Sequence, residues 1–207
     1  MLTERLVLRP FTIADAPQVQ KLAGDRDVAD MTDCIPHPYT QGLAERWILS
    51  LERQFILGFN ATLAVETRED RRLTGCIELE MTPQRGDRTP GAPPQRVAEL
   101  AYWFGKPFWG RGYCTEAARA VIRLGFRDLG LNRIFAYHFT RNPASGRVMQ
   151  KLGMTVEQFV AQHPLALGKR EDVIVYGVLR SEWESQQAVP IVVTMPTRRE
   201  GLMISNV

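Results

Sequence analysis

The sequence predicts one α/β (α+β) domain, a mixed sheet with helices on both faces. Short runs of apolar and β-branched residues alternate with segments whose apolar residues recur about every 3.6 positions. Near the middle, the strand-like run Val97–Phe104 passes through two glycines, Gly110 and Gly112, into a helical segment. A chain of 207 residues with 44% hydrophobic content can bury one substantial core, which makes residues 1–185 most simply a single domain. Residues 82–96 read as a loop inserted into it, and residues 186–207 as a C-terminal extension.

Taken in order, Leu6, Leu8 and Phe11 around Arg5 and Arg9 read as an edge strand that ends at Pro10. Thr12 with Asp15 forms a loose capping box that opens a helix through Val19 and Leu22, stopping near Gly24. From Asp25 to Pro38 the pattern breaks, and Pro36 and Pro38 bracket His37 in a fixed, non-helical loop. Thr40 then caps a helix carrying Leu43, Trp47, Ile48, Leu51 and Phe55 on one face. Ala61–Val65 and Leu73–Met81 are strands joined by a charged turn. Between Thr82 and Arg96 lie four prolines and no periodicity, the mark of a surface loop. After the glycines, Ala117, Val121, Leu124 and Phe126 roughly share one helical face. Leu131–Phe139 is a strand, Asn142-Pro143 starts a short helix that runs to Gly153, and Met154–Val160 with Asp172–Leu179 forms the last strand pair. In the extension, Ile191–Val193 reads as a further short strand. Its apolar stretch Val189–Val193, with Leu202, Met203 and Ile204, is expected to pack on the domain or on a second subunit of a homodimer.

Composition narrows the function classes. The formal charge of +3, from 26 basic and 23 acidic residues, is too small to argue for nucleic acid. Cys34, Cys76 and Cys114 are odd in number, far apart and in no C-x-x-C, so neither a disulfide framework nor a metal site is expected. The first ten residues lack a signal peptide's apolar core and no apolar run approaches a membrane span, which leads to the expectation of a cytoplasmic protein with no membrane partner. Neither Gly-Lys-Ser/Thr nor a Rossmann Gly-x-Gly-x-x-Gly occurs, which argues against other nucleotide-binding enzymes.

Strand, glycine turn and helix N-terminus together let backbone N–H groups converge on an anion, with Arg111 adding charge at the rim. On these residues alone the turn reads either as a phosphate cradle or as a plain structural turn. A wider comparison is more specific. Phe108-Trp109-Gly110-Arg111-Gly112-Tyr113-Cys114-Thr115-Glu116-Ala117 resembles the pyrophosphate-binding loop of the GCN5-related N-acetyltransferases (GNAT). The nearest likeness is to the branch that acetylates protein N-termini, the ribosomal-protein alanine acetyltransferases. Glu99–Phe104 is similar to that family's preceding strand. Asn142-Pro143-Ala144-Ser145 with Lys151-Leu152-Gly153-Met154 is similar to its later signature, and the likeness runs from about Leu6 to Trp183.

The resemblance implies a mostly antiparallel sheet and direct transfer of the acetyl group of acetyl-coenzyme A to a primary amine, either a protein N-terminus or a small amine or polyamine. The alternative is a module that binds acetyl-coenzyme A without turnover. The resemblance gives Trp109, Gly110, Arg111, Gly112, Tyr113, Cys114 and Thr115 to the coenzyme, chiefly through main-chain amides, and sets Asn142 and Ser145 beside its pantetheine arm. Cys114 is expected to be a small packing residue, not a nucleophile. Two positions depart from the family: Pro107 stands where Gln or Arg is frequent, and Met149 where many relatives carry a tyrosine general acid. With Met149 there, Tyr113, Tyr137 or Ser145 would have to reach the leaving sulfur, or the thiolate departs unassisted.

Glu99 is the expected general base, the one acid in its apolar strand. A carboxylate facing a cleft there has a raised pKa, whereas alternation outward or pairing with an arginine would make it structural. The resemblance puts the loop between the first two helices beside the acceptor, which makes His37 a candidate there together with Tyr102, whereas composition alone says only that the loop is exposed. Regular alternation sets Tyr102 opposite Glu99, which favours a core or cofactor contact over a shared proton. His138 reads as a satisfied, partly buried core histidine.

Overall fold

In the computed structural model, residues 1–82 and 96–187 are described. The expected loop and the extension beyond Gln187, including the Ile191–Val193 strand, lie outside those residues. Seven strands form one sheet in the order β1-β2-β3-β4-β5-β7-β6. They are β1 (Leu6–Arg9), β2 (Asn60–Thr67), β3 (Leu73–Met81), β4 (Val97–Phe104), β5 (Arg133–Phe139), β6 (Thr155–Pro164) and β7 (Arg170–Leu179). Every neighbouring pair is antiparallel except β4 and β5, and β1 is an edge strand as expected.

Helices cover both faces. On one, α4 (Tyr113–Arg127) and α5 (Pro143–Lys151) pack over Leu8, Ile77, Leu79, Leu100 and Ile134. On the other, α1 (Ala16–Ala23), α2 (Arg26–Ala29) and α3 (Leu43–Ile56) enclose a second cluster around Val19, Ile48, Ala64 and Leu73. Strict alternation along β3 and β4 feeds both cores at once. A guanidinium ties the second layer to the sheet: Arg9 reaches Glu66 at 2.9 Å and Asp15 at 2.8 Å. The Asp15 carboxylate also accepts from the Thr12 N–H at 2.8 Å, half of the predicted capping box.

Four local readings are corrected. The segment after Gly24 is not wholly irregular. Asp25 accepts from the Asp27 N–H at 2.9 Å and starts the single turn α2, which buries Val28 and Ala29. The next helix begins at Leu43 after Gly42 at φ +79°, not from a Thr40 cap, because the backbone must reverse first. Within it Phe55 is 65% exposed, since Ala44, Ile48 and Leu51 form the buried face. Finally, the segment after β7, given no element from the sequence, forms α6 (Arg180–Gln187). It lays buried Trp183 against Phe126 at 5.3 Å between ring centroids, and Arg180 Nε donates to the Leu131 carbonyl at 2.9 Å.

The site is set by where pairing stops. β4 and β5 pair in parallel only through Val97–Arg133, Ala98–Ile134 and Glu99–Phe135. Beyond Glu99 they part, and a cavity of about 400 Å³ occupies the opening. It is bordered by residues from both faces of β4 and by the loop between α2 and α3, so one space joins two chemically different walls.

Candidate active site

The glycine turn precedes α4 and is not among the residues that line the cavity, one wall of which is formed by Tyr102, Asn142 and Ser145. Gly110 and Gly112 have φ of +73° and +79°, the left-handed region where a side chain is strained. A Cβ on Gly110 would meet nothing within 4 Å, so the backbone there is open to approach. Within the described residues, no hydrogen bond is made by the N–H groups of residues 110–115. Unused donors at a helix start, with the positive end of the helix dipole, fit a diphosphate. Acetyl-coenzyme A carries that group, and the residues present suit it.

The side chains of the turn do other work. Trp109 is 44% exposed, and its Nε1–H donates to the Phe104 carbonyl at 2.6 Å, fastening the turn to the end of β4. Arg111 is exposed at the rim, and Tyr113 is half-buried beneath the Arg5 guanidinium. Thr115 is buried and offers its backbone. Burial pushes the Cys114 thiol up, and it packs against the core, which suits the packing role expected of it.

Asn142 and Ser145 lie on the cavity at the start of α5. Asn142 Oδ1 accepts from the Ser145 N–H at 3.3 Å, so it caps the helix where it borders the cavity. Replacing Asn142 by alanine is expected to cost about 1 kcal/mol of stability from the lost cap. A rise in coenzyme KM beyond what that destabilisation produces would add direct contact, and titration of the variant with coenzyme A measures it.

Tyr102 belongs with this wall. Its hydroxyl pairs with Ser145 Oγ at 2.7 Å, and its ring packs on the α4 side of the sheet. Tyr102, expected on the acceptor side, lines the cavity from the face of β4 opposite Glu99, beside Ser145. Met149 is fully buried behind the pair. Of the hydroxyls considered for the leaving sulfur, Ser145 is the one at the cavity start of α5. Tyr113 lies under Arg5, and Tyr137 is engaged elsewhere. His138 is buried as expected but not fully satisfied. Its Nδ1 is 2.8 Å from the Phe139 carbonyl, while Nε2 faces Gly146 without a partner.

The opposite wall is acidic. Glu99 lines the cavity and makes no salt bridge or side-chain hydrogen bond among the described residues. Burial, followed by the charges of Glu80, Asp33 and Glu78, pushes its carboxyl up to about 8. Glu80 is its register partner on β3, and Glu78 stands two residues along on the same face. Glu78 accepts from Thr62 at 2.8 Å and is itself raised by burial. Asp33 accepts from the Tyr137 hydroxyl at 2.7 Å and from the Ala166 N–H at 2.6 Å, which pins the loop between α2 and α3 to β5 and to the β6–β7 turn. Burial raises Tyr137, and neighbouring Glu99 adds to it.

Sequence reasoning missed Asp33, Glu78 and Glu80. For the two glutamates a signal was available: acids at alternate positions of an otherwise apolar strand point to one face. His37 is not brought to this cavity. Ile35 and Pro36 line it, whereas the exposed His37 borders a shallow outer depression with Pro17, Lys21 and Asp25. The loop does form a wall, but turns outward after Pro36, so His37 stands apart from the cavity.

Comparison with known proteins agrees with the fold. The family model for the acetyltransferase (GNAT) domain matches residues 5–155. The FsC-acetyl coenzyme A-N(2)-transacetylase of Aspergillus fumigatus is 35% identical over 197 residues, covering 89% of this chain and 78% of that protein. Among solved structures, ribosomal-protein-S5-alanine acetyltransferase from Vibrio fischeri superposes with a TM-score of 0.70 at 19% identity, covering 88% of this chain and 97% of that one. Spermidine N-acetyltransferase from Vibrio cholerae, solved with CoA and spermine, gives 0.68 at 19% identity over 86% and 98%. The two structural likenesses carry the fold, and the family model, matched over most of the chain, carries the relationship. This chain belongs to the GNAT family of acetyltransferases, whose general chemistry is acetyl transfer from acetyl-coenzyme A.

Proposed function

We propose that this protein transfers the acetyl group of acetyl-coenzyme A directly to a primary amine, with Glu99 taking the amine proton. The observation that carries the reading is the position of Glu99, at the last paired residue before β4 and β5 part and within the cavity between the two walls. An ammonium must lose a proton before its nitrogen can attack a carbonyl, and a carboxylate raised to about 8 is matched to that task near neutrality. The coenzyme supplies the activated acetyl group. The loop amides at residues 110–115 hold its diphosphate, and Ser145 stands where a proton can be returned to the thiolate. Such a site works mainly by holding the two reactants together.

The acceptor side is matched to positive charge. Asp33, Glu78, Glu80 and Glu99 all line the cavity, and no lysine or arginine does among the described residues. Four acidic groups in one partly desolvated space favour a cationic amine over a neutral one. The likeness of the Phe108–Ala117 run to the ribosomal branch supports a protein N-terminus, and the acidic wall supports a small amine with further positive charge. The name of the Aspergillus fumigatus relative supports a nitrogen acceptor. Catalysis is preferred over a coenzyme-binding module because Glu99 faces the cavity without an arginine partner.

Acetyl-coenzyme A should release free thiol on addition of an acceptor, read with a thiol reagent against a panel of diamines, polyamines, amino acids and N-terminal peptides. Diamines or polyamines are expected to give the highest kcat/KM. Tight coenzyme binding with no thiol release from any amine would overturn the catalytic reading in favour of the module.

A further inference from the structure

Residues ahead of the family's first strand are laced onto the coenzyme loop. Thr3 Oγ1 donates to Glu116 Oε1 at 2.6 Å, and the Arg5 N–H donates to the same oxygen at 2.8 Å. The Arg5 guanidinium then spans two partners, with Nε on Glu116 Oε2 at 2.7 Å and Nη1 on the Arg111 carbonyl at 3.0 Å. Its plane lies over the Tyr113 ring at 4.9 Å. The remaining nitrogen, Nη2, faces Gly112, with no hydrogen-bond partner among the described residues, 3.4 Å from where a Cβ would stand. The strap is itself braced: Leu2 bridges to Val7, and the Thr3 N–H donates to the Leu6 carbonyl at 3.0 Å.

This arrangement answers an electrostatic problem. Glu116 sits in the first turn of α4, favourable for the helix but unfavourable beside a diphosphate. Three donors from residues 3–5 occupy its carboxylate and hold it well into its charged form, against the burial that would raise it. Arg5 cancels that charge, fixes the Arg111 carbonyl away from the ligand, and leaves one N–H-bearing edge over the glycine. We propose that Arg5 is a coenzyme-binding residue, clamping the 110–116 turn and presenting Nη2 to a phosphate oxygen of the diphosphate. The inference rests on the coenzyme reading above and adds a side chain lying about a hundred residues before the motif.

The test compares two acetyl donors on the full chain. Acetyl-pantetheine keeps the reacting thioester and lacks the diphosphate, so it reports a general disturbance of the site. Arg5→Gln is expected to raise the Kd for acetyl-coenzyme A about tenfold, the scale of one charge-assisted contact plus its positioning effect. The kcat/KM with acetyl-pantetheine should stay within about twofold of wild type, because nothing it touches has changed. Arg5→Lys keeps the charge but cannot bridge Glu116 and Arg111 together, so a loss of severalfold is expected, which serves also if Arg5→Gln does not fold. Wild-type coenzyme affinity in Arg5→Lys, or in folded Arg5→Gln, overturns the proposal. So does an equal loss with both donors. If the wild-type chain itself binds no acetyl-coenzyme A, the coenzyme reading fails instead.

Discussion

Replacing Glu99 by glutamine should lower kcat by about 10²-fold or more while leaving the Kd for acetyl-coenzyme A near its wild-type value. Glutamine keeps the shape and removes the proton acceptor, and Glu99 lies on the face of β4 opposite Tyr102 and its partner Ser145. The pH profile carries a second signature. With the carboxyl raised to about 8 by burial and by Glu80, Asp33 and Glu78, wild-type kcat/KM should rise with pH through that region as the base ionises. The variant should lose that limb. Stability moves the other way. The folded pKa lies above the ordinary carboxylate value of about 4.3, so the native state holds a proton that the unfolded chain has released. Stability therefore falls as pH climbs from the carboxylate range to about 8, where the native group must ionise in place. Glu99→Gln is spared that cost, and its Tm should exceed wild type by roughly 3 °C or more at pH 9 and match it at pH 4. Near wild-type turnover with a true acceptor would remove Glu99 from the mechanism. An unchanged Tm difference across pH would mean that its carboxyl is not held protonated.

Much of this was legible before any coordinates. β4 was bounded to the residue, because an apolar run between a proline-rich loop and paired glycines leaves little freedom at either end. The Asn142 cap and the glycine turn were equally plain, since both are local chemistry. What could not be read depends on distant pairing. The opening between β4 and β5 exists because parallel pairing stops after Glu99–Phe135, and no feature of either strand alone says where that happens. Asp33 was invisible as a site residue because its partners, Tyr137 and Ala166, lie more than a hundred positions away. Arg5 escaped for the same reason, as its role appears only beside Glu116 and Arg111. α6 was passed over because it has one buried apolar residue, Trp183, and so almost no periodicity. His37 was placed by a resemblance that covers the whole loop and cannot say which of its residues faces in: Ile35, two residues before it, lines the cavity, and the chain turns outward between them.

Gly112→Val should weaken acetyl-coenzyme A binding at least tenfold, about 1.4 kcal/mol, in a domain that remains folded. The residue sits at φ +79°, where a β-branched side chain costs about 1–3 kcal/mol if the backbone holds. Two ways of meeting that cost are open, and both damage the site. If the backbone relaxes to negative φ, the unused N–H groups at the start of α4 change direction, and the proposed cradle is lost. If it holds, a Cβ lies 3.4 Å from Arg5 Nη2, and the two further methyl groups must displace the guanidinium or occupy the space offered to a phosphate. Gly110 supplies the contrast. It also has positive φ, at +73°, but its Cβ would enter open space, so Gly110→Ala should show the backbone penalty with little steric obstruction and a smaller loss. Calorimetric titration of both variants with coenzyme A, beside their melting curves, separates affinity from folding. A folded Gly112→Val protein that titrates like wild type would mean that the turn is structural, and the diphosphate would have to be sought elsewhere.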